Sequence, residues 1–240
     1  MKDEIIIDVE DLTLAYNENP VVWDADVEIM NNTRTAIIGP NGAGKSTFLK
    51  GILGLIEPLA GEVKIMGKSP KDARKHIAYI PQTASVNWDF PTNVLDVVLM
   101  GRYKSLGWIK RPGKKDMEIA KEALNKMGMY EYKNRQISEL SGGQRQRVFL
   151  ARAICSDAQI YFMDEPLAGV DMTTEKIIMD TIKDFQKNGK TIVAVHHDLN
   201  TIKEYFDHVV IINRRVIAYG SMDQAFTEEN LQIAYKKGRD

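Results

Sequence analysis

The segment from Gly39 to Thr47 carries the residue types that bind phosphate groups. It contains the pattern G-x-x-x-x-G-K-[ST], directly after an apolar run, Thr35–Ile38, and directly before a predicted helix that begins near Lys45. Glycines let backbone N–H groups converge on phosphate oxygens, and the N-terminus of a helix favours negative charge. The pattern predicts that Lys45 reaches the β- and γ-phosphates of a nucleotide and that the Ser46 hydroxyl coordinates Mg²⁺. The predicted nucleotide-binding residues here are Gly39, Asn41, Gly42, Ala43, Gly44, Lys45, Ser46 and Thr47.

A second apolar run ends in two carboxylates. Ile160–Met163 is followed directly by Asp164 and Glu165. We predict that Asp164 helps to hold the magnesium ion and that Glu165 accepts a proton from an attacking water. Together with the phosphate-binding segment, this pair predicts a P-loop ATPase or GTPase. The N/T-K-x-D motif that recognises guanine is absent from the sequence, which favours ATP with Mg²⁺.

A third pattern, from Leu140 to Arg147, narrows the class of protein. It has the sequence LSGGQRQR, and a helix is predicted to run from Ser141 to Cys155. The start of that helix is a second anion site, separate from the first. With the two patterns above, this segment resembles the signature motif of the ATP-binding subunits of ABC transporters. The resemblance implies that four of its residues belong to a nucleotide site, namely Ser141, Gly142, Gly143 and Gln144.

The resemblance also implies a head-to-tail homodimer that ATP closes and hydrolysis reopens. In such a dimer, Ser141 and Gly143 of one chain contact the γ-phosphate that Lys45 of the other chain binds. Gln82 matches the family's glutamine that senses magnesium and links the ATP site to the helical insert. His197 matches the histidine that contacts the γ-phosphate.

Two shorter matches extend the site. Ala168–Asp171 resembles the family's D-loop, in which S-A-L-D is the commonest form, and Asp171 is the position that carries over. Tyr16 stands where the family has an aromatic ring stacked on adenine. His196 is predicted to be a packing residue, because adjacent residues of a strand face opposite sides.

The resemblance predicts one α/β domain over residues 1–240, with the fold of an ABC nucleotide-binding domain. It implies a P-loop (RecA-like) ATPase core with an N-terminal antiparallel β subdomain, over residues 1–91 and 156–240. Apolar residues recur at helical spacing between residues 92 and 155, which predicts a helical subdomain containing the signature motif.

Alternation of apolar and polar residues predicts two antiparallel strands near the N-terminus. The first is Ile5–Tyr16, and the second is Val22–Met30, with Trp23 among the residues on its covered face. The turn between them is predicted at Asn17–Pro20. Near the other end of the chain, apolar runs on both sides of residues 213–215 predict a hairpin.

Composition and charge exclude several classes of protein. The 240 residues include 32 Lys and Arg against 33 Asp and Glu, a net charge of -1, which argues against binding nucleic acid through bulk charge. No apolar run is long enough to span a membrane, and the acidic N-terminus does not resemble a signal peptide. The single cysteine, Cys155, suits a reducing compartment. We therefore expect a cytoplasmic protein that is peripheral on the inner face of the cell membrane.

The segment after Gln82 indicates which class of substrate the transporter would carry. Residues 85–91 and 94–102, together with the paired histidines, resemble the ATPases of manganese, zinc or iron importers. That resemblance implies an integral membrane permease as the direct partner and an extracytoplasmic metal-binding protein as an indirect one. Trp88 and Phe90 lie in a predicted loop and are expected to anchor a helix of the permease. The alternative is that both rings cover the domain's own core.

The same sequence argues against two other classes of ATPase. A chromosome or DNA-repair ATPase would carry a long coiled coil between the phosphate-binding segment and the signature, and a ribosome-associated ATPase would carry each motif twice; the sequence has neither. A transporter ATPase for another cargo, such as a siderophore or an exported solute, remains the alternative. The basic run Lys110–Lys115 is predicted to be a solvated loop, with a contact to anionic lipid headgroups as its alternative.

Overall fold

The computed structural model describes residues 4–17, 19–107 and 110–236. The strands are β1 (Ile5–Tyr16), β2 (Asn19–Met30), β3 (Arg34–Ile38), β4 (Ala60–Ile65), β5 (Ile77–Ile80), β6 (Ile160–Asp164), β7 (Thr191–Val195), β8 (His208–Asn213) and β9 (Arg215–Ser221). The helices are α1 (Lys45–Ile52), α2 (Pro70–Ala73), α3 (Val94–Leu99), α4 (Tyr103–Leu106), α5 (Lys114–Lys126), α6 (Gly142–Ser156), α7 (Met172–Lys187), α8 (Ile202–Tyr205), α9 (Met222–Ala225) and α10 (Glu228–Tyr235). The predicted α/β class is confirmed.

The chain divides into two compact units, residues 1–74 with 185–240 and residues 75–184. In the first unit, β3 pairs in parallel with both β7 and β8, and β9 pairs antiparallel with β8. Strands β7 and β3 are almost wholly buried, which explains why both are continuous apolar runs in the sequence. The same unit holds an antiparallel sheet in the order β2-β1-β4, as predicted for the N-terminal part of the chain.

The second unit combines a parallel pair of strands with helices. Strand β5 pairs with β6, and helices α3, α5 and α6 pack on one another. Val94, Val97 and Val98 are buried, as their helical spacing predicts. This unit begins and ends outside the residue range 92–155 predicted for a helical subdomain, and that boundary stays a prediction.

Two details of the N-terminal sheet were predicted wrongly. Trp23 is 42% exposed, while its neighbour Val22 is buried. The regular alternation fails because the Asp24 backbone is left-handed (φ 48°) and its N–H donates to Thr13 Oγ1 at 3.1 Å, so the strand changes register there. The predicted turn is also shorter, since Asn19 already belongs to β2 and pairs with Tyr16.

Candidate functional site

The phosphate-binding segment lies between β3 and α1 in the first unit. Three of its glycines have positive φ angles: Gly39 (157°), Gly42 (77°) and Gly44 (91°). A Cβ atom on Gly39 would lie 1.9 Å from the carbonyl oxygen of Ile212, so the loop approaches β8 more closely than any side chain permits. The glycines therefore fix the path of the loop.

The loop leads directly into α1, whose first residue is Lys45. The Lys45 side chain is 8% exposed, and its Nζ donates to the carbonyl oxygens of Gly39 and Pro40, both at 2.9 Å. The first turn of α1 contains no acidic residue, and its N-cap residue, Gly44, offers no side-chain acceptor. The N–H groups of this helix start and the ammonium group together favour an anion.

The other predicted residues of this unit are placed as follows. Asn41 and Gly42 are exposed at the tip of the loop, and Ser46 is half-buried. Tyr16 is exposed at the end of β1, which leaves its ring face open to a ligand. His197 is exposed two residues beyond β7.

His196 has a different environment from His197. It is 2% exposed, packs against the ring of Phe206 with a centroid distance of 5.4 Å, and its Nε2 lies 3.1 Å from Thr201 Oγ1. The predicted packing role of His196 is confirmed.

In the second unit, the structure brings Gln82 and Glu165 together. Gln82 follows β5, Glu165 follows β6, and Gln82 Nε2 donates to Glu165 Oε2 at 2.9 Å. Asp164, the last residue of β6, is buried. The Glu165 backbone has φ 49°, which is uncommon for a residue with a side chain and frequent at functional sites.

The signature segment forms the N-terminus of α6. Ser141 Oγ accepts from the N–H of Gln144 at 3.3 Å, and Gln144 Oε1 accepts from the N–H of Ser141 at 2.9 Å. This is a reciprocal capping box. Gly142 is exposed and Gly143 is half-exposed, and the first turn of α6 carries no acidic residue. The helix start is therefore accessible and suited to an anion.

The predicted D-loop aspartate lies beside the signature. Asp171 accepts hydrogen bonds from the Thr174 N–H at 2.9 Å and from Thr174 Oγ1 at 3.0 Å, which together hold the pKa of its carboxyl below the usual range. A Cβ atom on Gly143 would lie 3.8 Å from Asp171 Oδ2. The structure thus brings the signature and the D-loop together within the second unit.

Sequence reasoning missed one residue near the phosphate-binding segment. The Tyr235 side chain, in α10, hydrogen-bonds to the backbone of Gly39, and its burial raises the pKa of the phenol. No local pattern around Tyr235 could reveal this contact, because the two residues are far apart in the sequence. Within the described ranges, no group of three or more His, Cys, Asp or Glu residues could hold a metal ion.

Comparisons with known proteins relate this chain to one family. A family model for ABC transporters matches residues 22–168. The zinc transport system ATP-binding protein TroB of Treponema pallidum (strain Nichols) is 56% identical over 95% of this chain and 86% of its own length. The manganese transport system ATP-binding protein MntB of Bacillus subtilis (strain 168) is 53% identical over 95% of this chain and 92% of its own length.

A solved structure extends the agreement to the fold. The protein cbiO1 of Clostridium perfringens, part of the ABC transporter complex cbiONQ, superposes with a TM-score of 0.78 at 26% identity, covering 98% of this chain and 97% of that one. Among the described residues, no helix combines the length and apolar character needed to cross a membrane. The family model and the two relatives show that the chain belongs to the ABC transporter family and is one of its ATPases, in keeping with its phosphate-binding segment, its carboxylates Asp164 and Glu165, and the signature at the start of α6.

Proposed function

We propose that this chain is the ATP-hydrolysing subunit that energises a membrane importer for divalent transition-metal ions, namely manganese, zinc or iron. One observation carries the proposal: relatives named for zinc and for manganese transport share more than half of their residues with this chain over 95% of its length. The segments 85–91 and 94–102, which resemble those of metal importers, lie within the matched region.

Each proposed role in ATP hydrolysis is assigned from the environment of that residue within its own unit. Lys45 and the N–H groups around Gly44 bind the phosphates of ATP, and the exposed rings of Tyr16 and His197 are available to adenine and to the γ-phosphate, respectively. Glu165 accepts a proton from the attacking water. The hydrogen bond from Gln82 fixes the orientation of the Glu165 carboxylate.

Magnesium fits the oxygen donors that the sequence offers. The Ser46 hydroxyl, the Asp164 carboxylate and the Gln82 amide oxygen are the donor types that Mg²⁺ prefers. The structure supports this fit at one position, because Asp164 is a carboxylate buried at the end of β6. The ion would neutralise charge on the β- and γ-phosphates.

Two chains are proposed to form a head-to-tail homodimer that closes on ATP. The accessible N-terminus of α6 supports this arrangement, because Ser141 and Gly143 present an anion site formed by residues outside the phosphate-binding segment. Asp171, next to Gly143, would then lie near the same interface.

The direct partner is proposed to be an integral membrane permease, with an extracytoplasmic metal-binding protein acting through it. Phe90 is 63% exposed, which supports docking of a permease segment on the loop that follows Gln82. The chain would lie on the cytoplasmic face of the membrane. Because the described residues include no cluster suited to a transition metal, the permease and binding protein would select the ion.

Metal uptake tests the proposal. Cells that lack this chain should accumulate less radioactive manganese or zinc, and the wild-type chain should restore uptake. The Glu165→Gln chain should not restore it, although it should still co-purify with the permease. Normal metal uptake in the deletion strain, together with loss of a siderophore or of solute export, would instead support the alternative cargo.

A further inference from the structure

The loop that carries Phe90 is attached to the signature helix through Trp88. This ring is half-buried, not fully exposed as its loop position predicts. It packs on Phe149 of α6 with a centroid distance of 5.1 Å, and its Nε1 donates to the carbonyl oxygen of Thr83 at 3.0 Å. Trp88 therefore joins the residues next to Gln82 to the middle of α6.

Arg145 extends this attachment to the segment that precedes the signature. Its guanidinium lies over the Trp88 ring, with Cζ 4.7 Å from the centroid. The same guanidinium donates from Nε to the Ile137 carbonyl oxygen at 3.3 Å and from Nη2 to the Ser138 carbonyl oxygen at 2.6 Å. Ser138 lies three residues before Ser141, the residue that caps α6.

A second contact runs beside the first. The Thr83 hydroxyl donates to Oε1 of Gln146, a side chain that is 2% exposed. Gln82, the residue before Thr83, donates to Glu165. The loop thus contacts the general base at one end and the signature helix at two points.

We propose that Trp88 and Arg145 are a pair of positioning residues that transmit a shift of loop 82–90 to residues 137–144, which contain the start of the signature. The proposal rests on the function proposed above, in which a permease docks on this loop. A displaced loop moves the Trp88 ring, and the guanidinium that stacks on it holds the two carbonyl groups ahead of Ser141. Permease docking would in this way adjust the anion site at the start of α6.

The two residues can be tested in the assembled transporter. Trp88→Ala and Arg145→Ala should each lower the permease-stimulated kcat for ATP by roughly 2- to 30-fold, the range of such couplings. The affinity for ATP should not change, because the phosphate-binding segment provides it. The double variant should be no slower than the slower single variant, because both changes break the same contact.

Conservative and matched variants separate coupling from packing. Trp88→Phe keeps a ring beneath the guanidinium and should retain most of the stimulation. Arg145→Lys keeps the charge but loses the planar fork, and it should behave like Arg145→Ala. Arg147→Ala is the control, because Arg147 lies on the same helix and donates instead to the Met127 carbonyl oxygen at 3.4 Å. It should leave the stimulated rate unchanged.

Three results would overturn the proposal: single effects that multiply in the double variant, an equal loss of stimulation in the Arg147→Ala control, and full stimulation in Arg145→Lys. If the alanine variants fold poorly, Trp88→Phe and Arg145→Lys still distinguish coupling through this contact from a purely structural role. The readout is stimulated ATPase, so it can be measured with a permease for any cargo. Failure of metal uptake and failure of this coupling are therefore distinguishable.

Discussion

Gln82 Nε2 donates a hydrogen bond to Glu165 Oε2 at 2.9 Å, which joins the ends of the neighbouring parallel strands β5 and β6. The two side chains are far apart in the sequence; Glu165 was predicted to be the general base from the carboxylate pair after an apolar run, and the role of Gln82 came from the resemblance to the ABC transporter ATPases. Their contact gives Gln82 a direct means of orienting the carboxylate. The left-handed backbone of Glu165 further restricts where that carboxylate can point.

Glu165→Gln should slow ATP hydrolysis by on the order of 10²- to 10⁴-fold, because an amide cannot accept the proton from water. ATP binding should persist, since the amide has nearly the same shape. Phosphate release gives kcat, and a fluorescent nucleotide gives the dissociation constant. Glu122→Gln, which changes an exposed carboxylate in α5 of the same unit, is the control and should hydrolyse ATP normally. Turnover close to that of the wild type would remove Glu165 from the role of general base.

Lys45→Ala should weaken ATP binding by about 10- to 100-fold, the effect of losing hydrogen bonds from a charged donor. The matched control is Lys50→Ala, in the last turn of the same helix, which should bind ATP as the wild type does. Titration with nucleotide measures both affinities. Tight binding by Lys45→Ala would contradict the assigned phosphate contact.

Replacement by alanine should destabilise the protein at one glycine of the proposed nucleotide site and not at another. Gly39→Ala should lower the free energy of unfolding by at least about 1–3 kcal/mol, because its Cβ would lie 1.9 Å from the Ile212 carbonyl oxygen. At Gly142 a Cβ atom meets nothing within 4 Å, so Gly142→Ala should cost no stability. Urea unfolding compares the two variants. Equal stabilities would show that the loop does not need its close approach to β8.

Asp207 should make stability depend on pH. Burial disfavours its charged form, but hydrogen bonds from Arg34 and Gln186 outweigh burial and hold the pKa of the carboxyl below its usual range. Because the folded pKa is lower than the unfolded value of about 4, the stabilisation is complete above that value and is lost as pH falls through the folded pKa.

Asp207→Asn should therefore lower the free energy of unfolding by about 1–3 kcal/mol at pH 7, and the difference from the wild type should narrow below about pH 4. Asp24→Asn is the matched control, because Asp24 pairs with Arg215 at 3.2 Å on the exposed surface. It should cost about 1 kcal/mol or less. A deficit in Asp207→Asn that is the same at pH 7 and pH 3 would contradict the ion pair as its cause.

The sequence predicted those parts of the fold that depend on local patterns. The buried strands β3 and β7 are recognisable as apolar runs, and α6 is recognisable from Ser141 and the spacing that follows it. The change of register at Asp24 was not predictable, because it depends on a hydrogen bond to Thr13 in the neighbouring strand. For that reason, the prediction that Trp23 lies on the covered face of the sheet was wrong.

The candidate site shows the same limit. Motifs predicted candidate ligand-binding residues one by one, but the contacts between Trp88 and Arg145 and between Tyr235 and Gly39 join segments distant in the sequence. Trp88 was expected to be exposed because its own loop could not bury it. It is half-buried because α6, much later in the chain, supplies Phe149 and the arginine that cover it.

ATP-driven metal transport by the purified complex tests the central claim most directly. Membrane vesicles would contain the permease and this chain, with ATP supplied to the face on which the chain lies and manganese or zinc supplied to the other. We expect the metal to cross toward the ATP side with the wild-type chain and transport to stop with Glu165→Gln. Metal transport that continues with Glu165→Gln, or ATP-driven movement of a different cargo only, would contradict it.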